Sequence, residues 1–443
     1  MLRRLMRPRP AGALAVCLLA AGVAPADAQD TPQAFVNARI IPIAGPEIPR
    51  GTLVVQNGRI VAVGPDGSVS IPSSAVRHDA AGKVLMPGFV DTHSHIGGPA
   101  GGDQSAALHP DVRVLDAVDA RSPGFRRAQA GGITTVNVMP GSGLLLSGQT
   151  LYLKLRGAET IDDLTIRLEG GRVAGGLKMA NGTNSLRPGA PGPAPGTRAR
   201  SAALVREQFV KAQEYREKIR QAGGDASKRP ARDLGLETLV EVLDGTRTVH
   251  FHTHRHDDIL TALRLAREFG FTPVLQHVTE GWKVADEIAK AGAPCSIIVI
   301  DAPGGKLETV DLSFETGAAL DKAGVLTGFH TDDLITDSRF FARSAGLAVR
   351  AGMSRDKALY ALTMAGARML KLEDRIGTLE FGKDADFIVL SGDPLSVYTR
   401  VEQTWVEGAK VFDLAAPEDR LIAVGGYGAL RGEIMHTAEE DWR

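Results

Sequence analysis

The chain reads as an α/β fold that carries a smaller all-β unit assembled from both of its ends. Three observations predict this. Across residues 86–374, apolar runs of strand length alternate with amphipathic helical segments. Residues 34–83 and 376–412 instead hold short β-rich runs separated by turns. The 51 glycines among 443 residues suit a fold with many strand-to-helix turns.

The first 28 residues are expected to be a signal peptide rather than structure. A basic start, MLRRLMRPRP, precedes an apolar stretch from Ala11 to Ala24 and the small-residue cleavage pattern Ala26-Asp-Ala28. Export follows, with the periplasm as the expected compartment and Gln29 as the new N-terminus. Cleavage removes Cys17 and leaves Cys295 alone, so no disulfide forms within the chain. Cys295 opens the apolar run Cys295-Ser-Ile-Ile-Val-Ile300 and reads as a buried strand residue. A net charge of −1, with 43% hydrophobic and 23% charged residues, describes an ordinary globular protein. It gives no electrostatic case for nucleic acid or for an anionic membrane surface. A homo-oligomer remains open.

In order, Phe35–Ile41 and Thr52–Gln56 are strands, and Asn57-Gly58 is a hairpin turn into Arg59–Val63. The middle offers strands at Ile133–Met139, Gly176–Ala180, Thr248–His254, Thr272–His277, Cys295–Ile300 and Val325–Thr331. A first strand leads into His93, which makes seven. Thr165–Leu168 is a further candidate, but it stands too close to Gly176 for a helix to fit between. Ser201–Arg220 is a scaffold helix with Leu204, Val205, Phe209, Ala212 and Ile219 on one face. Before it, residues 187–197 are too rich in Pro and Gly for helix or ladder, and read as a connector or a lid.

The chemistry starts at Pro87-Gly-Phe-Val-Asp-Thr-His-Ser-His95. On a strand, residues i and i+2 share a face, so His93 and His95 present two imidazoles to one metal ion. Imidazole suits zinc, copper, iron and nickel. Thr248-Val-His-Phe-His-Thr-His-Arg-His256 puts His250, His252, His254 and His256 on one face in the same way. No G-x-S-x-G elbow and no phosphate-binding G-K-[ST] loop occurs.

PGFVDTHSH resembles the first-strand signature of the amidohydrolase superfamily. Ala130-Gly-Gly-Ile-Thr-Thr-Val-Asn-Val138 is similar to its second strand, and Gly377–Leu390 to the strands that close its small β domain. The resemblance is nearest to the imidazolonepropionase-like and prolidase-like branches. It implies a (β/α)8 TIM-type barrel over 86–374, with eight strands completed from the family. It also implies a β-sandwich from residues 29–85 and 375–443.

The resemblance further implies a zinc site of one or two ions, with manganese or iron as alternatives. The implied ligands are His93, His95, His252, His277 and Asp332. His254 is the alternative to His252, or a substrate contact. His250 is expected to lie deeper and His256 on the following loop. Asp333 is expected to face away, and Asp337 to pair with Arg339. Lys178, in Gly-Gly-Leu-Lys-Met-Ala180, resembles the lysine that is carboxylated and bridges two metals in binuclear members. In that case His93, His95 and Asp332 hold one ion, and His252 and His277 the other. The alternative is a lysine that contacts substrate. Asp332 would move the proton, His277 or His254 would steady the oxyanion, and Lys306 would receive a substrate carboxylate. The implied reaction is hydrolysis of an amide, cyclic amide or dipeptide-like C–N bond of a small molecule. Ring deamination on the same ligands and a non-catalytic binding barrel are the rivals.

Overall fold

The computed structural model describes residues 31–99, 103, 105–186, 195–299, 306–333 and 335–426. The expected signal peptide and most of the Pro/Gly-rich segment 187–197 lie outside them. Strands β1 (Gln33–Ile40), β2 (Ile48–Gln56), β3 (Arg59–Pro65), β4 (Val76–Asp79) and β5 (Val84–Pro87) open the chain. The middle holds β6 (Phe89–Ser94), β7 (Ile133–Val138), β8 (Leu146–Gln149), β9 (Leu151–Lys154), β10 (Leu177–Ala180), β11 (Val249–Thr253), β12 (Pro273–His277), β13 (Cys295–Ile297) and β14 (Thr327–Phe329). Strands β15 (Phe387–Leu390), β16 (Val401–Val406) and β17 (Ala409–Asp413) come from the other end.

The two ends share one hydrogen-bonded sheet, ordered β17-β16-β15-β5-β1-β2-β3, with β4 also on β1. The expected Asn57-Gly58 turn joins β2 to β3. Both residues have positive φ, 49° and 73°, as a two-residue hairpin of this twist requires. Glu407-Gly408 repeats the device between β16 and β17. Strands in a sheet lie about 4.8 Å apart, so side chains three strands apart cannot touch across a flat sheet. Yet the rings of Phe35 on β1 and Trp405 on β16 are 5.2 Å apart, and Phe387 stacks on Trp405. The sheet therefore folds over its own core of Phe35, Leu53, Val55, Phe387 and Trp405. Met86 and Pro87 still belong to this sheet through β5, a little past the expected boundary at residue 85.

In the middle, β10 to β14 run parallel to one another, and β6 runs parallel to β7. All seven expected strands are present, most of them shorter than expected. Thr165–Leu168 is not a barrel-type strand. Thr165 only bridges Leu153, and Arg167 bridges Val173. The place beside β7 is taken by β9, and the place beside β10 by β8, both antiparallel to their neighbours. Only Thr150 separates the two, and its amide donates to Gly176 O at 2.9 Å. On the other flank, the Asp332 amide donates to His93 O at 2.9 Å, and Asp91 accepts from the amide and hydroxyl of Thr331.

The helix Arg198–Ala222 is longer than expected, capped by Thr197, and buries Val205, Phe209 and Ala212. Cys295 is fully buried, and burial pushes its thiol well above the usual range, which agrees with a core role. Lys154 on β9 is buried against Asp384 and Asp386, which tie the middle to the start of β15. Among the described residues, no helix is long and apolar enough to cross a membrane.

Candidate metal centre

Parallel strands place their C-terminal ends side by side, and the expected ligands stand at those ends. His93 lies near the end of β6 and His95 just past it. His252 is the fourth residue of β11, His277 the last of β12, and Asp332 follows β14. His277, Val278 and Asp332 have φ of 70°, 50° and 48°. This left-handed region is costly for any residue with a Cβ, and most of all for β-branched Val278. Strain of this kind turns the chain sharply where ligands must point inward.

His93, His95 and Asp332 converge. His93 Nε2 and His95 Nε2 are 3.3 Å apart, and Asp332 Oδ1 is 3.4 and 3.0 Å from them. His95 Nδ1 donates to Met139 O at 2.8 Å, so its Nε2 carries the lone pair. Electron pairs from nitrogen and carboxylate thus face one another and need a cation between them. A tetrahedral ion with bonds of about 2.05 Å sets its ligand atoms roughly 3.3 Å apart, which is the spacing seen. Burial disfavours charge on Asp332, but its positive surroundings, Lys178 among them, hold its carboxyl well below the usual range.

A second group joins His252, His254 and His277, whose ligand atoms all lie within 4.8 Å of one another. Both ring nitrogens of His252, and Nε2 of His254 and His277, are buried without a hydrogen-bond partner. Such orphans are rare in folded proteins and fit a donor set awaiting an ion. Burial, followed by neighbouring positive charge, lowers the basicity of His93, His252, His254 and His277 well below that of free imidazole, which keeps them as ligands. His252 and His254 were alternatives in the sequence; the fold brings both to the site. Lys178 is fully buried, with Nζ 3.2 Å from His93 Nε2.

Two residues join that sequence reasoning passed over. His330 is fully buried, with Nε2 3.1 Å from His277 Nδ1 and Nδ1 2.7 Å from Ser296 Oγ. Ser296 reaches Thr92 Oγ1 at 2.5 Å, and Thr92 donates to Phe329 O at 3.4 Å. A carbonyl can only accept, so with every donor used the series runs from His277 Nδ1–H through His330, Ser296 and Thr92 to Phe329 O. It leaves the His277 Nε2 lone pair facing the site. The signal was available, since His330 stands two residues before Asp332, the same spacing that marked His93 and His95. Glu308 is the second, a buried carboxylate 4.0 Å from His254 Nε2.

Other expectations resolve in place. His250 lies deeper, between Tyr152 Oη at 2.8 Å and Gln276 Nε2 at 3.1 Å. His256 begins the helix His256–Phe269 rather than lying on a loop, and binds Glu280, away from the cluster. Asp333 faces away and pairs with Arg127 at 2.7 Å, and Asp337 pairs with Arg339 at 2.6 Å. Lys306 Nζ donates to Asn184 Oδ1 at 3.0 Å, and its charge is felt by His252 and His254.

Comparison with known proteins identifies the family. Residues 84–414 match the amidohydrolase family. An amidohydrolase from Thermotoga maritima MSB8 shares 35% identity and a TM-score of 0.79, over 86% of this chain and 99% of that one. Amidohydrolase tasK of Hapsidospora irregularis is 26% identical over 82% of this chain, which spans 40% of that protein's length. Two proteins of Symbiobacterium thermophilum are each 24% identical. The 5-methylthioadenosine/S-adenosylhomocysteine deaminase matches over 87% of both chains, and the imidazolonepropionase over 78% of this chain and 84% of its own. The chain belongs to the amidohydrolase family, metal-dependent hydrolases that act on carbon–nitrogen bonds.

Proposed function

We propose that the protein is an exported amide hydrolase with a zinc centre, acting on an amide, cyclic amide or dipeptide-like bond of a small molecule. The observation that carries this is the convergence of His93, His95 and Asp332 at 3.0–3.4 Å, the spacing of ligand atoms around one tetrahedral ion. We propose further that the sheets of the middle, residues 86–374, close into an eight-stranded barrel. The Asp332–His93 and Thr150–Gly176 backbone bonds at its two seams support this, with β8 and β9 acting as one bent antiparallel strand. The folded sheet from the two chain ends then forms a small sandwich-like domain.

His93, His95 and Asp332, with His252, His254 and His277 beside them, would hold a divalent ion, which would supply polarisation of the scissile carbonyl and a water acidic enough to act near neutral pH. Asp332 accepts the proton from the attacking water and hands it to the leaving nitrogen. His254 steadies the developing oxyanion, since the proton of His277 is already given to His330. Lys178, were it carboxylated on Nζ by carbon dioxide, would join the His93 side to the His252/His254/His277 side, and its buried place beside His93 supports that role. Deamination is the second reading, supported by the deaminase relative and separated by ammonia release from a substrate panel.

The test is metal stoichiometry. The native protein should hold about two ions, and Lys178→Ala should lose both metal and rate, because two dications close together repel without an anion between them. Short carboxylic acids should restore part of the activity by occupying the vacated position. Full metal content in Lys178→Ala, with only a raised KM, assigns the lysine to substrate and rejects the bridge.

A further inference from the structure

Glu308 sits inside the protein beside the histidine cluster without a cationic side chain against it among the described residues. It is 3% exposed. Its Oε2 accepts from the Thr183 amide at 2.8 Å, and the absence of a side chain at Gly182 makes room, since a Cβ there would come within 2.7 Å of that oxygen. Its Oε1 is buried and has no hydrogen-bond partner, and it faces the equally unpartnered Nε2 of His254 at 4.0 Å. Arg198 is paired with Asp258 instead, at 3.0 Å to each oxygen, and Lys306 Nζ is on the neutral Asn184 Oδ1 rather than on Glu308.

A carboxylate taken out of water without a counter-charge is strongly unfavourable, so the site is built for a cation that arrives from outside. Either a metal ion or a substrate group meets that need. Glu308 stands outside the set of His252, His254 and His277 that lie mutually within ligand distance. It is pinned by the turn that follows the Lys178 strand, which places it at the margin of the cluster. That position suits the part of a substrate next to its scissile bond.

We propose that Glu308 is a specificity-determining residue that receives a cationic nitrogen of the substrate, an ammonium or guanidinium group. With Lys306 two residues earlier as the receiver of a carboxylate, the substrate class is an amino-acid-derived, zwitterionic amide. This rests on the amide-hydrolase reading above and narrows it.

The experiment compares the zinc-loaded native protein with Glu308→Gln on two matched panels: dipeptides and aminoacyl amides with a free amine, and the same compounds N-acetylated. Glutamine keeps the shape and the acceptor for the Thr183 amide while removing the charge, so the variant retains its fold. The native protein should prefer the free-amine panel. Glu308→Gln should lose roughly 10- to 100-fold in kcat/KM on that panel, mainly through KM, with unchanged zinc content and a collapsed free-to-capped ratio. Loss of zinc in Glu308→Gln overturns the proposal by making the residue a ligand. Equal native turnover of both panels, or turnover of the capped panel alone, overturns it while leaving amide hydrolysis standing. No turnover of either panel overturns it together with the linear-amide and dipeptide part of the amide-hydrolase reading.

Discussion

Removing the carboxylate of Asp333 should weaken the fold without touching the metal. Asp333 and its neighbour Asp332 are both candidates by sequence, yet their surroundings differ. Asp333 takes Arg127 Nη2 at 2.7 Å and the Ser338 amide at 2.9 Å, with both side chains almost fully buried. Breaking a buried pair by deleting one partner costs roughly 3–5 kcal/mol. Unfolding entropy is about 2.1 cal/mol/K per residue, so a protein of this size has an entropy near 0.9 kcal/mol/K at its midpoint. Asp333→Ala should therefore lower Tm by about 3–6 °C and keep the native metal content. Asp332→Ala should do the reverse, losing metal. Burial raises the Asp333 carboxyl above the usual range in spite of Arg127, which means desolvation outweighs the ion-pair attraction. A double variant, Arg127→Met with Asp333→Leu, should then regain most of the lost Tm. An unshifted Tm in Asp333→Ala, or a double variant as unstable as the single, refutes the reasoning.

The remaining predictions are these. His93→Ala should lose bound metal and activity together, as metal analysis beside a rate assay will read; full metal content means the two histidines do not form a ligand pair. Intact-mass measurement of the exported protein should show Gln29 as the N-terminus, and a mature chain retaining Met1 removes the export proposal. His250, buried and held beside Lys178, has its pKa lowered to about 3. The unfolded chain thus binds a proton that the folded one refuses. Stability from this residue is complete above pH 6.5 and falls as pH drops, by about 2 kcal/mol at pH 5. The fall in urea stability from pH 7.5 to 5 should be smaller in His250→Gln by that amount; equal falls reject it.

What the sequence disclosed was what depends on neighbours along the chain. The alternation that puts His93 with His95, and His252 with His254, is a property of any strand. The Asn57-Gly58 turn follows from the left-handed conformation those residues tolerate. The Asp332/Asp333 choice follows from one step along the backbone. What stayed hidden depends on partners far away in sequence. The run Leu146–Lys154 gave no strand signal because Ser147, Gln149, Thr150 and Lys154 interrupt it, and Gly148 bends it with φ of 126°. A lysine in a local window marks a surface. Lys154 is buried because Asp384 and Asp386, more than two hundred residues later, balance its charge.

Glu308 and His330 illustrate the same division from the functional side. A glutamate two residues after a Gly-Gly-Lys reads as a solvated loop, and only the Thr183 amide and the open side of Gly182 turn it inward. His330 could be placed beside Asp332 by spacing, but its role depends on Ser296 and Thr92, contributed by two other strands. Ligand identity is therefore local and readable in this protein, whereas ligand orientation and substrate charge are set by contacts between strands. Variants of the second kind, such as Ser296→Ala, should lower metal affinity roughly 10-fold through the tautomer of His277 while leaving every ligand in place. A chelator titration reads that loss, and an unchanged affinity would mean that the His277 ring is held by packing alone.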